Sequence, residues 1–311
     1  MWLIAGAGGI LDKDLIMILR RAGQLVRPSF HATLDITDST AVAAAIEDLA
    51  RSQAVLSPGT AAIVVNTTAW TDVDSSQTDT AAYELTATGA GNIAQACEAF
   101  GVRMIHLSSD DVFDGSGTEP YTEDTPVSPR STNGRTKAAS EKAVLQALPH
   151  HGVVLRTAWL YGGYGHGAVS AVVRMIKERD SHGQAEHVGQ PTWTVDLARR
   201  ILDVGRTPNA AGIYHATNSG ATTRAGLARA VLAGLGLEDH LSTKTGNPGQ
   251  PPEHRLGQRT QRLSQAPPSR RHCVLSHGRW AELDLPPMRS WREALADAIA
   301  STSTVPSVLQ V

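Results

Sequence analysis

An α/β protein built on a doubly wound parallel sheet, with a smaller C-terminal α/β domain, is what three features of the sequence predict. Short apolar runs alternate with segments of helical periodicity along the first half of the chain. A glycine-rich turn, "GAGG" at residues 6–9, separates the first such run from the first helix. The polar segments "NTTAW", "SSDD" and "TAWLYGG" each follow an apolar run, at the carboxyl ends of strands where parallel sheets place their ligands.

The elements follow in order. "MWLIAGAGGILDKDLIMILRRAG" reads as a strand, a glycine turn and a helix with apolar residues at helical spacing. "AAIVVNTTA" (61–69) reads as a second buried strand, "AAYELTATGAGNIAQACEAFG" (81–101) as a long helix of small residues, and "VRMIHLSSD" (102–110) as a third strand ending in hydroxyls. "TKAASEKAVLQAL" (136–148) is the next helix and "GVVLRTAWLYG" (152–162) a further strand. Residues 243–272, rich in Pro, Gly, Gln and Arg, form a predicted long loop. "MRSWREALADAIA" (288–300) is a closing amphipathic helix, and 301–311 is a frayed tail.

Composition excludes several classes of function. The chain has 311 residues, 41% hydrophobic and 19% charged, with a formal net charge of −2. That balance exerts no long-range pull on nucleic acid or an anionic membrane surface. No apolar run approaches the ~18–20 residues of a membrane span, and "MWLIAGAGG" lacks the basic and long apolar regions of a secretory signal. Cys97 and Cys273 stand outside any CxxC pair, as expected of reduced thiols in a cytoplasmic protein. Twelve histidines occur with no HxxxH or HExxH spacing, so no metal site is expected.

Gly6, Gly8 and Gly9 lie where backbone can approach a pyrophosphate, with the helix starting near Ile10 aiming its N–H groups at the anion. A tight turn without a ligand would look the same. In a GxxGxxG reading the third glycine is replaced by Asp12. Its carboxylate would stand near the anion, where two like charges ~4 Å apart repel by roughly 1–4 kcal/mol. Alternatively Asp12 favours the helix N-terminus and points away.

Eight stretches in family order, "LDITD" (34–38), "VVNTTAWTDVD" (64–74), "HLSSDDVFDGSG" (106–117), "PYTED" (120–124), "VLRTAWLYG" (154–162), "GQPTWTVDLA" (189–198), "GIYHATNSGATT" (212–223) and "PMRSWREAL" (287–295), carry a resemblance. The chain resembles the RmlD type of extended short-chain dehydrogenases/reductases, the dTDP-4-dehydrorhamnose reductases, and most of all their dihydrostreptose-type relatives in aminoglycoside biosynthesis. The resemblance implies a Rossmann domain for NADPH over 1–162 plus about 189–216. It also implies a substrate domain for a nucleotide-linked 4-keto-6-deoxysugar over about 163–188 and 217–300. It places Gly6, Gly8, Gly9, Ile10, Asp35, Ile36, Thr67, Thr68, Trp70 and Lys137 on the cofactor, and Val73, Ser109, Asp111, Trp159 and Trp193 on the substrate.

Family chemistry, as the resemblance implies it, is hydride transfer to a ketone. A tyrosine donates the proton, a lysine lowers that tyrosine's pKa and binds the ribose, and a serine or threonine holds the carbonyl oxygen. Ser109 and Lys137 match the last two, but Asn133 stands at the tyrosine position, four residues before Lys137. No tyrosine in the chain is followed by lysine at that spacing. Asn133 cannot act as a general acid, although its amide can donate to an oxyanion. The substrate-side tyrosine is replaced by Asp111, and further departures fall at Leu85, Thr86, Gly167, Glu186, Ser269 and Arg270.

Three readings follow. In the first the chain is a reductase in which Asp111, buried beside a nicotinamide, or a water held by Asn133 and Lys137, replaces the tyrosine. In the second the fold serves non-redox chemistry, an epimerisation, dehydration or transfer. In the third the chain is a non-catalytic ligand-binding protein or the partner subunit of another enzyme. A homodimer is compatible with each. Other expectations concern single residues. Arg27 favours NADP over NAD, Arg156 ties the sheet to a carboxylate, His106 is a core residue, and His215 is a candidate for the cleft.

Overall fold

The computed structural model describes residues 1–68, 78–162, 187–236 and 272–301. Trp70, Val73, Gly167, Glu186, Ser269, Arg270, the predicted loop up to residue 271 and the tail from 302 lie outside the described residues. A six-stranded sheet organises the chain. Its strands are β1 (Trp2–Ala5), β2 (Val26–Ser29), β3 (Ile63–Asn66), β4 (Arg103–Ser109), β5 (Gly152–Thr157) and β9 (Gly212–His215). They run in the order β2-β1-β3-β4-β5-β9, with every neighbouring pair parallel. The order reverses between β1 and β3, which opens a crevice at their carboxyl ends.

Both faces of the sheet are covered, so its strands read as continuous apolar runs. Along β1, Trp2 and Ile4 pack with α1 (Ile10–Arg21) and the helix Thr194–Arg206. Leu3 and Ala5 pack on the other side with α2 (Ser39–Leu56) and α4 (Gly89–Phe100). Successive strand side chains point to opposite faces, and the two clusters divide the strand residues accordingly.

Among the elements that differ from the sequence expectation, three bear on the shape of the site. β2 was not among the predicted strands, because "VRPS" is short and carries Pro28. Pro is tolerated there since β2 is an edge strand, and "AAIVVNTTA" thereby supplies the third strand in chain order, trimmed to Ile63–Asn66. The helix at 81–101 begins at α3 (Thr78–Tyr83) and passes through a π-helical turn, Glu84–Thr88, before α4. The predicted strand 152–162 is interrupted: β5 stops at Thr157, Trp159 takes a left-handed backbone with φ 44°, and β6 (Leu160–Tyr161) pairs instead with β8 (Thr192–Trp193), which follows the short strand β7 (Val188–Gly189).

Around those short strands the C-terminal part builds its own core. Tyr161, Trp193, Leu227, Val231, Trp291 and Leu295 bring β6 and β8 together with the helices Arg224–Gly234 and Trp291–Ala300. The last helix starts at Ser290, whose hydroxyl accepts from the Arg292 N–H while Glu293 accepts from the Ser290 N–H. Among the described residues no helix is long and apolar enough to cross a membrane.

The element that shapes the site is α5 (Thr132–Ala147), capped by Ser131, whose hydroxyl accepts from the Gly134 N–H at 3.0 Å. Its buried face is polar. Lys137, Ser140 and Glu141, at helical spacing, meet β4 and β5. Glu141 takes a bidentate ion pair from Arg156 at 2.9 and 2.7 Å and a hydroxyl proton from Ser108 at 2.5 Å. Arg156 thus ties the sheet to a carboxylate, as its position in the strand suggested. Removing one member of a buried pair strands the other charge. Glu141→Leu is therefore expected to lower stability in urea titrations by about 3–5 kcal/mol, and Glu141→Leu with Arg156→Met to recover most of the loss.

Candidate active site

Four strand ends and the first turns of α5 converge on the crevice. The glycine turn closes its β1 side. Gly6 has φ 93°, and a Cβ there would come within 2.7 Å of the Thr68 hydroxyl, so glycine is required for the approach of the two loops. The Gly6 and Ala7 N–H groups donate to the Ser29 carbonyl at 3.0 and 2.9 Å, fixing the turn to the end of β2. Gly8 faces open space, and Ile10 is exposed on the first turn of α1. Gly9 caps that helix, and its N–H donates to Asp12 Oδ2 at 2.6 Å. Asp12 is 2% exposed, and its second oxygen, Oδ1, is buried without a hydrogen-bond partner. Burial raises its pKa, opposed by the Thr67 hydroxyl and the Gly9 and Gly8 amides. The Asp12 side chain therefore folds back onto the turn instead of pointing away from it.

Beyond β2, Asp35 is exposed and accepts from the Thr37 N–H and hydroxyl at 2.9 and 2.8 Å, which lowers its pKa. Ile36 is buried, and its carbonyl is held by Asn92 of α4 at 3.0 Å. Gly89 gives that helix room, since a Cβ there would lie 2.6 Å from the Ile36 side chain. Arg27 pairs with Asp48 at 2.5 Å and with Ser52 at 2.9 Å on α2.

At the centre, Lys137 is 5% exposed and donates to the Leu107 carbonyl at 2.8 Å and the Thr68 carbonyl at 3.3 Å. One ammonium thereby joins the loop after β3 to β4. Burial pulls its pKa down to about 8, against the opposing pull of Glu141 and Asp111. Beneath it, Asn66 donates to His106 Nδ1 at 3.2 Å, His106 Nε2 meets the Ser140 hydroxyl at 2.8 Å, and that hydroxyl donates to the Lys137 carbonyl at 2.7 Å. This chain requires the neutral Nε2–H tautomer, and burial with Lys137 nearby pushes the His106 pKa well below its ordinary value.

One turn before Lys137, the exposed Asn133 amide donates to Asp111 Oδ2 at 2.6 Å. The Asp111 N–H donates to the Ser109 hydroxyl at 3.2 Å. Ser109, Asp111, Asn133 and Lys137 thus lie together. Their approach depends on Gly134, where a Cβ would lie 2.1 Å from the Asp111 carbonyl.

The aromatic candidates separate. Trp159, half-buried at the end of β5, lies under the Arg224 guanidinium at 4.9 Å and beside His187 at 5.6 Å. Its left-handed backbone is strained, a feature that gathers at functional sites. Trp193 packs in the C-terminal core, and Arg289 covers its ring at 5.5 Å. His215 is fully buried with Nδ1 3.0 Å from the Ser276 carbonyl, and burial beside Arg156 lowers its pKa to about 3. It is a core residue, not a cleft residue. Sequence reasoning missed the Asn66–His106–Ser140 relay and the Leu107 carbonyl. The alternation of inward residues on β4 marks His106, but nothing in the sequence marks a backbone acceptor.

Comparison with known proteins shows the family of the chain. The RmlD substrate binding domain family matches residues 1–304. The chain belongs to the RmlD family. It is 39% identical over 305 residues to a Streptomyces griseus protein named dTDP-4-dehydrorhamnose reductase, covering 96% of this chain and 92% of the relative. It is 41% identical over 309 residues to a Streptomyces antibioticus protein named as a probable dTDP-4,6-dihydroxy-2-methyloxan-3-one 4-ketoreductase, covering 96% and 94%. A Bacillus anthracis dTDP-4-dehydrorhamnose reductase solved in complex with NADP superimposes with a TM-score of 0.75 at 26% identity, covering 97% of this chain and 98% of that one. The doubly wound Rossmann-like fold of this RmlD-family chain is that of these neighbours.

The buried lysine makes a pH signature. Its folded pKa lies below its unfolded value, so the folded state disfavours the charged form. Between the two values the unfolded chain holds more protons, and stability rises with pH. Relative to Lys137→Met, the unaltered chain is expected to gain stability from pH 8 upward, by roughly 3 kcal/mol once pH passes 10.5. Denaturant titrations of the two chains at pH 7, 8, 9 and 10 measure the difference.

Proposed function

We propose that this chain reduces a nucleotide-linked 4-keto-6-deoxysugar with NADPH, in a site where a proton-relaying pair replaces the usual tyrosine. The observation that carries the proposal is the gathering of Ser109, Asp111, Asn133 and Lys137 beside the glycine turn at the crevice of the sheet. The names of the relatives, dTDP-sugar reductases in each case cited above, support the substrate class.

The residues present fit a dinucleotide in backbone, with Gly6 strained into the turn and Gly8 open, and Asp12 is the side chain set against it. Gly6, Gly8, Gly9 and Ile10 would face the pyrophosphate, Asp35 and Ile36 the adenosine, and Thr67, Thr68 and Lys137 the nicotinamide half. β2 ends in Ser29, followed by Phe30 and His31, with no carboxylate to hold a ribose 2′-hydroxyl. That absence favours NADPH over NADH. Bound NADPH supplies the hydride.

The chain's own groups handle the oxygen. Ser109 holds the ketone oxygen through its hydroxyl, and the Lys137 ammonium stabilises the charge that develops on it. Asn133 cannot give up a proton, but while its NH2 holds Asp111 its amide carbonyl can accept one hydrogen of a water. The other hydrogen of that water goes to the ketone oxygen, and the hydroxide so formed takes a proton from the solvent to which Asn133 is exposed. Without a side-chain acid the rate is expected to fall roughly 10²–10⁴-fold below that of a tyrosine-bearing site. Trp159 is the aromatic surface offered to the sugar nucleotide. The partner is this small molecule, with neither nucleic acid nor a membrane required.

Restoring the tyrosine tests the reading. Asn133 is exposed, so a larger side chain fits without repacking the core. Asn133→Tyr is expected to raise NADPH-dependent reduction of a dTDP-4-keto-6-deoxyhexose at least tenfold. Absence of NADPH-dependent reduction in both chains, together with epimerised or dehydrated product from the unaltered one, would assign the site to non-redox chemistry.

A further inference from the structure

Asp12 sits in the glycine turn as an acceptor for the helix N-terminus. Three facts define it. Its Oδ2 already occupies the Gly9 N–H at 2.6 Å. Its Oδ1 is buried without a hydrogen-bond partner in the same turn. A Cβ added to Gly9 would lie 3.1 Å from the carboxylate, so the acid is pressed against the backbone that a phosphate would approach. Helix N-termini attract anions through free N–H groups and the positive end of the dipole. Here a side-chain anion holds that position.

We infer that Asp12 is a built-in competitor for the cofactor's pyrophosphate, so that the dinucleotide binds with uptake of a proton at this carboxylate. The inference rests on the NADPH reading above. The physical logic is short. A bound pyrophosphate brings negative charge to the turn, and two anions cannot share one set of N–H donors. The carboxylate must then be displaced or neutralised. Displacement is blocked by its burial, with α1 behind it, whereas a protonated Asp12 has a hydroxyl to donate to a phosphate oxygen.

The groups around Asp12 leave the proton to this site. Its own helix presents Lys13, which is exposed, and Asp14, which accepts from the Thr194 hydroxyl of the helix Thr194–Arg206. The loop after β3 presents the Thr67 and Thr68 hydroxyls, and α5 presents Lys137, whose ammonium is held by two carbonyls. Burial and the turn's own hydrogen bonds govern the Asp12 carboxyl, with no charged neighbour contributing among the described residues.

The test is calorimetric titration of the full chain with NADPH and NADP⁺ at pH 6, 7 and 8, in buffers of different ionisation enthalpy, beside Asp12→Asn and Asp12→Gly. Asp12→Asn keeps an acceptor for Gly9 and removes the charge. Asp12→Gly removes both. Thermal melts of each chain establish that it is folded. The expected result is binding by the unaltered chain that weakens as pH rises and takes up close to one proton. Both variants bind at least tenfold more tightly at pH 8 and take up none. Tight binding by the unaltered chain, without proton uptake and unchanged in Asp12→Asn, would overturn the inference and leave the NADPH reading standing. Folded variants that bind neither dinucleotide, while dTDP still binds, would overturn the NADPH reading and the inference with it.

Discussion

The docking of α5 on β4 and β5 is the constraint from which the candidate site follows. A helix that buried an apolar stripe there could slide by a turn at modest loss. This helix buries a charge at each end of one face. Lys137 must find the Leu107 and Thr68 carbonyls, and Glu141 must find Arg156 and Ser108. A buried charge without partners is far more costly than a misplaced methyl group. The register of α5 against the sheet is therefore set by polar groups. Asn133, one turn before Lys137, then has one available place, beside Asp111. Gly134 completes the constraint by letting the first turn of α5 touch the Asp111 backbone.

From that docking the site extends through the loops. Thr68 is shared: its carbonyl receives Lys137, and its hydroxyl and backbone crowd Gly6. A change at the glycine turn is thus felt at the lysine through one residue. The Asn66–His106–Ser140 relay runs beneath the same point and is fully paired, so the floor of the crevice is a closed polar network. Networks of that kind are rigid when every group is satisfied. Asp12 is the exception near this floor, with one oxygen unpaired, and its unpaired state is what makes it informative.

The alternation of strands and helices, the glycine turn and the clustering of polar strand ends were legible in the sequence because each rests on short-range pattern. β2 was not, since an edge strand of four residues with a proline has no apolar run to announce it. The break at Trp159 was not, because "RTAWLYG" reads as continuous strand and only tertiary packing holds a tryptophan in a left-handed conformation. Topology pointed to Ser109 and Asp111 at the cleft, and the family resemblance added Asn133 and Lys137. The engagement of Asn133 with Asp111 was not legible, because side-chain pairing across 22 residues depends on the angle at which α5 arrives. The pairing of Arg27 with α2 was not legible either, because an edge-strand position does not say which way its side chain turns.

The same physics shows what folding demands of the scaffold motifs and how much less it demands at the exposed edge of the site. "GQPTWT", "ATNSG" and "PMRSW" interlock. Asn218 accepts from the Trp193 N–H and donates to Asp196, Asp196 pairs with Arg289, and the Ser219 hydroxyl donates to the Met288 carbonyl. Gln190 exchanges two hydrogen bonds with the Leu275 backbone. These groups are buried or half-buried, and each replacement would leave a partner unsatisfied, at about 1–3 kcal/mol per group. Asn133 is exposed, and water can replace its amide bond to Asp111, so folding places little demand on its identity. Stability therefore holds the scaffold motifs in place and constrains position 133 far less.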